Sequence, residues 1–169
     1  MAAAKTLLQM GSKERDLYLY DAFAGMTPPT EKDITHFEPR AAEKSYDVNK
    51  EGDVCKWAYA PFDEAQRNIF STGYPKGKIH FIVGPVEKTL PQKVPDHISL
   101  LRLDTDFYDS TRAEMEYLYP RLSPGGVIIV DDYGHWQRAR IAVDEYLAAN
   151  KIKLLLNRLD CTGRIGIKL

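Results

Sequence analysis

The chain has 169 residues, 44% of them apolar and 28% charged, with 23 Lys and Arg against 24 Asp and Glu. At that length about 68–70% of the surface exposed by an unfolded chain can be buried, so one domain with a real core is expected over residues 1–169. The balance excludes a disordered chain and weighs against a nucleic-acid partner, because the densest basic stretch, Gln137-Arg138-Ala139-Arg140, carries only two charges.

In chain order, residues 1–10 lack the basic leader and long apolar run of a secretory signal, and a cytoplasmic location is the expectation. Leu17-Tyr18-Leu19-Tyr20 reads as a strand that ends in Asp21 and feeds a loop through Gly25 and Pro28-Pro29. Residues 26–49 read as a long polar loop of the kind that lies over a site as a lid. Residues 53–72 read as helical, and their aromatic-rich front over 57–62 joins the loop as a candidate for acceptor specificity. The runs Ile79–Val83, Ile98–Leu103 and 127–130 are nearly continuous in apolar residues, as strands buried on both faces are. Helical spacing over 110–122 and 136–150 follows the last two of them, so the alternation predicts an α/β fold with a mostly parallel sheet. The longest apolar run, from Gly125 to Val130, is far short of the ~20 residues of a membrane span, and no membrane partner is expected. Leu154-Leu155-Leu156 and Ile165-Gly166-Ile167 are separated by too little chain for a parallel crossover, so an antiparallel hairpin should close the chain. Cys55 and Cys161 read as two reduced, buried thiols.

Ligands of open α/β sheets bind beyond the carboxyl ends of the strands, and there this sequence places aspartates: Asp21, Asp104-Thr105-Asp106 and Asp131-Asp132. Adjacent strands lie about 4.8 Å apart, so as neighbours they would crowd Asp104, Asp131 and Asp132 into one small volume. Protonation, basic residues or a hard cation can relieve the repulsion. Oxygen donors without a His/Cys cluster suit Mg²⁺ or Mn²⁺ rather than Zn²⁺. Any single aspartate reads first as a helix cap or an exposed turn carboxylate, as Asp109-Ser110 would cap the next helix, but the set favours a cation. Asp106 lies two residues beyond Asp104, on the same side of an extended backbone, and suits a general base. With an ordinary pKa of about 3.9, it can take an alcohol's proton only where a metal acidifies the hydroxyl.

Six segments, Arg15-Asp16-Leu17-Tyr18-Leu19-Tyr20-Asp21-Ala22-Phe23-Ala24-Gly25-Met26, Gly73-Tyr74-Pro75, Leu101-Arg102-Leu103-Asp104-Thr105-Asp106, Leu118-Tyr119-Pro120-Arg121-Leu122, Gly125-Gly126 and Val130-Asp131-Asp132-Tyr133-Gly134-His135-Trp136, stand in fixed order. Through them nearly the whole chain resembles the macrocin O-methyltransferase family. The resemblance implies a Rossmann-like class I methyltransferase sheet and an S-adenosylmethionine- and Mg²⁺-dependent enzyme. Its substrate would be a sugar hydroxyl of a small, glycosylated natural product, in antibiotic biosynthesis. It further implies that Asp104, Asp131 and Asp132 hold Mg²⁺ and that Asp106 is the general base. Asp21 would accept hydrogen bonds from the cofactor's ribose, and Gly84 would permit close backbone approach. His135 and Trp136 are candidates for substrate contact, with a helix-start core anchor as the plainer role of Trp136.

Such methyltransferases begin with a strand and a Glu/Gly-rich loop, whereas residues 1–11 here resemble the helix that follows that loop. The expectation is therefore a member truncated at its N-terminus. Lacking the first strand, it should bind S-adenosylmethionine poorly and associate with itself through open strand edges as a homo-oligomer or aggregate. A metal-dependent glycosyl or phosphoryl transferase using Asp104-Thr105-Asp106 is the rival enzyme class, although Tyr108 breaks the phosphatase form of that motif and no Gly-rich phosphate loop accompanies it. A non-catalytic relic is the third reading.

Overall fold

The computed structural model describes residues 1–30, 33–36, 42–52 and 54–169. Its elements are α1 (Ala2–Gln9), β1 (Leu17–Asp21), α2 (Ala42–Asn49), β2 (Lys50–Glu51), β3 (Val54–Cys55), α3 (Phe62–Phe70), β4 (Ile79–Val83), α4 (Val86–Thr89), β5 (Ile98–Leu103), α5 (Tyr108–Tyr117), β6 (Leu122–Val130), α6 (Gln137–Ala149), β7 (Asn157–Arg158) and β8 (Arg164–Ile167). They fall into two compact units, one of Met1–Thr27 with Asn49–Pro85 and the other of Pro28–Val48 with Val86–Leu169. Among the described residues, no helix is long and apolar enough to cross a membrane.

In the first unit, β1 and β4 pair in parallel, from Leu17 opposite Ile79 to Asp21 opposite Val83. Alternation gives this ribbon two faces. Leu17, Leu19, Ile79 and Phe81 pack with Ala4, Leu7 and Leu8 of α1 and with Ile69, Phe70 and Tyr74. The other face carries Tyr18 stacked on His80 at 4.6 Å, and His80 Nε2 lies 2.7 Å from Asp16 Oδ1. The helix expected over 53–72 is confined to Phe62–Phe70, because Pro61 stands at its N-cap and Val54–Cys55 is drawn into pairing with Lys50–Glu51. At its far end the Ser71 and Thr72 hydroxyls donate to the carbonyls of Asn68 and Ile69, competing with the helical ladder. Gly25, at φ 79°, lies against β3. A Cβ built there would fall 1.6 Å from the Cys55 carbonyl oxygen, and the Cys55 N–H donates to the Ala24 carbonyl at 2.9 Å.

In the second unit the strand order is β5-β6-β8-β7, with β5 and β6 parallel and the remaining pairs antiparallel. Leu101, Leu103, Ile128, Val130, Met115 and Val143 are buried, and α5 packs on α6. The closing hairpin forms, with its first strand at Asn157–Arg158 rather than over the preceding leucines. Of the segment read as a lid, Ala42–Asn49 is helical and residues 33–36 run beside the start of α6, while residues 31, 32 and 37–41 lie outside the described residues. Cys55 is buried as expected. Cys161 is exposed, because it sits in the turn between β7 and β8.

Candidate functional site

The parallel pairing of β5 and β6 sets Leu103 opposite Val130, so both strands release their aspartates at the same level, and the Asp131 N–H still donates to the Leu103 carbonyl at 3.0 Å. Three carboxylates converge there: Asp104, Asp106 and Asp132 each offer an oxygen, and the three oxygens lie within 4.8 Å of one another. Asp131 lies outside that group of three and shares a cation with Asp104. Its Oδ2 accepts a hydrogen bond from the Arg102 guanidinium at 2.6 Å, and the same Arg102 nitrogen lies 3.0 Å from Asp104 Oδ2. Of the predicted cation ligands, Asp104 and Asp132 are thus drawn together with Asp106, whereas Asp131 stands beside them in an ion pair.

Crowding shows in the acidities. Burial, and then the neighbouring Asp132, push the Asp106 carboxyl up to about 9. Burial and a hydrogen bond with Asp131 push Asp104 up to about 7 against the pull of Arg102. Two carboxyls that hold protons near neutrality beside other carboxylates mark a site short of positive charge.

The loop that carries Asp104 and Asp106 is held from beneath. The Phe107 N–H donates back to the Thr105 carbonyl at 2.8 Å across Asp106, whose φ is 68°, the i-to-i+2 bond of a strained γ-turn. Thr105 Oγ1 donates to Glu114 Oε2 at 2.9 Å, and Ser110 Oγ donates to the Thr105 carbonyl at 3.1 Å. The second acidic loop is gripped through main-chain atoms. The Gly134 N–H donates to the Thr162 carbonyl at 2.8 Å, the His36 N–H to the His135 carbonyl at 2.8 Å, and the Gln137 N–H to the Ile34 carbonyl at 3.1 Å. Gly134 has no room for a side chain, since a Cβ there would lie 2.4 Å from the Cys161 carbonyl oxygen. Trp136 is 4% exposed, packs edge-on against Phe107 at 5.4 Å and stands at the N-cap of α6, the position of a core anchor.

The predicted cofactor residues meet in the other unit. Asp21 and Gly84 close the paired strands β1 and β4, where the Gly84 N–H donates to the Asp21 carbonyl at 2.9 Å. The Asp21 side chain is exposed, with Oδ1 accepting the Phe23 N–H at 2.7 Å, and Gly84 has φ 135°.

Arg102, Thr105 and Glu114 are functional candidates that sequence reading passed over. Arg102 had a signal, since it lies two residues before Asp104 and so on the same side of an extended chain. Glu114 is 5% exposed, and burial pushes its carboxyl up to about 8 against the Thr105 hydrogen bond. Between pH 4.5, its ordinary value, and about 8, the folded chain keeps a proton that the unfolded chain has released. Stability therefore falls as pH rises through that window, by at most roughly 1.4 kcal/mol per pH unit from this group, and the cost is absent below the window. Glu114→Gln should flatten that decline in urea unfolding at pH 5 and pH 9. Asp104 and Asp106 keep their share in both proteins, and equal pH slopes for the two would refute the assignment.

The sequence model of the macrocin-O-methyltransferase (TylF) family matches residues 1–165. Over 153 residues the chain is 30% identical to an 8-demethyl-8-(2,3-dimethoxy-alpha-L-rhamnosyl)-tetracenomycin-C 4'-O-methyltransferase of Streptomyces olivaceus, covering 90% of this chain and 55% of that enzyme. Over 151 residues it is 31% identical to a mycinamicin III 3''-O-methyltransferase of Micromonospora griseorubida, covering 89% and 56%. The chain thus spans about half the length of the curated relatives it matches. Among solved structures, the O-methyltransferase NovP matches with a TM-score of 0.81 at 26% identity, covering 98% of this chain and 65% of that one, a likeness that shows the class I O-methyltransferase fold.

Proposed function

The chain belongs to the macrocin O-methyltransferase family, and from that premise we propose that it carries the cation-binding, acceptor-activating part of an S-adenosylmethionine- and Mg²⁺-dependent O-methyltransferase. Its acceptor would be a sugar hydroxyl of a glycosylated natural product. The observation that carries the reading is the convergence of Asp104, Asp106 and Asp132 oxygens within 4.8 Å at the ends of two paired strands. Oxygen donors of this kind fit a hard divalent cation.

Asp104 and Asp132 would hold the cation, with Asp131 as the third carboxylate of the acidic loops. When bound, the cation would add to the single positive charge of Arg102 and would supply the charge that a hydroxyl needs to lose its proton near neutral pH. Asp106, in its ionised form, would take that proton as the acceptor oxygen bonds to the methyl carbon. S-adenosylmethionine would supply the methyl group and leave as S-adenosylhomocysteine, with the electrons of the broken methyl–sulfur bond on sulfur. Burial and Asp132 push this carboxyl up to about 9, so it would serve as a base only where a bound cation favours its ionised form. Asp21, an exposed carboxylate at a strand end, suits the ribose hydroxyls of the cofactor, and Gly84 offers backbone without a side chain next to it.

Calorimetric titration of Mg²⁺ into the wild-type chain and into Asp132→Asn tests the cation site. The variant should bind at least roughly 10-fold more weakly, because it loses a charged ligand where even outer-shell changes cost 10–100-fold. Equal affinities would remove the site. Methyl transfer to a glycosylated acceptor that survives chelation by EDTA would reject the cation's part in the reaction.

A further inference from the structure

Four polar or charged residues are buried among the described residues: Asp33, Ser110, Thr111 and Glu114. Three of the four lie on α5 at the i, i+1 and i+4 positions of one face, so this helix turns a polar stripe inward where an amphipathic helix turns an apolar one. The stripe ends on Thr105. Glu114 accepts the Thr105 hydroxyl at 2.9 Å, and Ser110 donates to the Thr105 carbonyl at 3.1 Å. Thr105 is the residue between Asp104 and Asp106. Thr105 is tied to α5 through both its hydroxyl and its carbonyl, while the two aspartates that flank it converge on Asp132. Asp106 is the residue that absorbs the resulting bend, at φ 68°.

We propose that Glu114 is a positioning residue: through the Thr105 hydroxyl it holds the Asp104–Asp106 loop in the shape that aims both aspartates at Asp132, and so sets the affinity for a divalent cation. The inference rests on the reading of the acidic cluster as a cation site. A buried carboxyl is costly, and a leucine or methionine would fill the same space without desolvating one. What the apolar residue cannot supply is the acceptor for Thr105. Glutamine can, since its amide oxygen accepts the same hydroxyl.

The test is Mn²⁺ titration, read by calorimetry and by the loss of the free-ion electron paramagnetic resonance signal, on wild type, Glu114→Leu, Glu114→Gln, Thr105→Val and Asp132→Asn. Glu114→Leu and Thr105→Val should each bind Mn²⁺ about 10–100-fold more weakly, the range for outer-shell partners of metal ligands, while Glu114→Gln stays within about threefold of wild type. Circular dichroism melts in EDTA separate a folding defect from a site defect. Thr105→Val, a near-isosteric change that leaves the buried acid in place, keeps the test open should Glu114→Leu fail to fold. Wild-type affinity in Thr105→Val or Glu114→Leu, with binding lost in Asp132→Asn, would overturn the positioning role and leave the cation site standing. Equal Mn²⁺ binding by wild type and Asp132→Asn would overturn the cation site and the positioning role with it.

Discussion

In a version of the chain extended to the length of its relatives, Asp106→Asn should lower kcat for methyl transfer by roughly 10²–10⁴-fold, the range supplied by a positioned general base, while Mn²⁺ affinity stays within a few-fold of wild type. Asparagine suits this exchange because it tolerates the left-handed backbone that Asp106 adopts at φ 68°, so the loop keeps its course and only the proton acceptor is lost. Nor should the variant unfold. Burial and Asp132 push the wild-type carboxyl up to about 9, so near neutral pH a neutral amide replaces an uncharged acid and adds no buried charge. Steady-state kinetics beside a Mn²⁺ titration distinguishes base from ligand, since Asp106 also lies in the group of three converging carboxylates. A parallel loss of rate and Mn²⁺ affinity would reassign Asp106 as a ligand, and near-normal turnover would deny it either part.

Gly25→Ala should destabilise the first unit by about 3 kcal/mol or more, against the 5–15 kcal/mol typical of a whole domain. Two causes add. The backbone at φ 79° disfavours any side chain, at about 1–2 kcal/mol, and the new methyl would have to occupy space 1.6 Å from the Cys55 carbonyl oxygen. A main-chain oxygen cannot rotate aside as a side chain would, and Cys55 is tied in place by its own N–H to the Ala24 carbonyl. Urea unfolding of wild type and variant measures the difference, and a loss below about 1 kcal/mol would show that the Gly25–Cys55 contact yields easily.

The limits of β1, β4 and β5 were legible because each is a mostly apolar run with a chemical stop after it, and the found strands agree with the runs to within one residue. β6 is longer than the run over 127–130 suggests. Pro124-Gly125-Gly126 looks like a breaker, yet the Gly125 N–H donates to the Lys168 carbonyl at 2.7 Å and the Lys168 N–H to the Gly126 carbonyl at 2.9 Å, so the ladder continues through it. In the closing hairpin, turn chemistry set the register. Asp160 Oδ1 accepts the N–H groups of Thr162 and Gly163 at 2.9 and 2.6 Å, which centres the pairing on Arg158 opposite Arg164 and leaves the three leucines outside it. The aspartates of the site could be read because strand ends are local features. Glu114 could not, since Ser110, Thr111 and Glu114 look like the wet face of a helix until tertiary packing buries them.

The acidic loop beyond β6 is clasped by the backbones of two distant segments, with carbonyls of residues 34 and 162 and the N–H of residue 36 as the grips. A clasp made of main-chain atoms is indifferent to the side chains of the residues that form it, apart from the glycine required at position 134. Mutation can therefore rewrite Ile34, His36 and Thr162 without unfastening the carboxylates they brace. The sequence around these carboxylates can thus vary while the bonds that place them are kept.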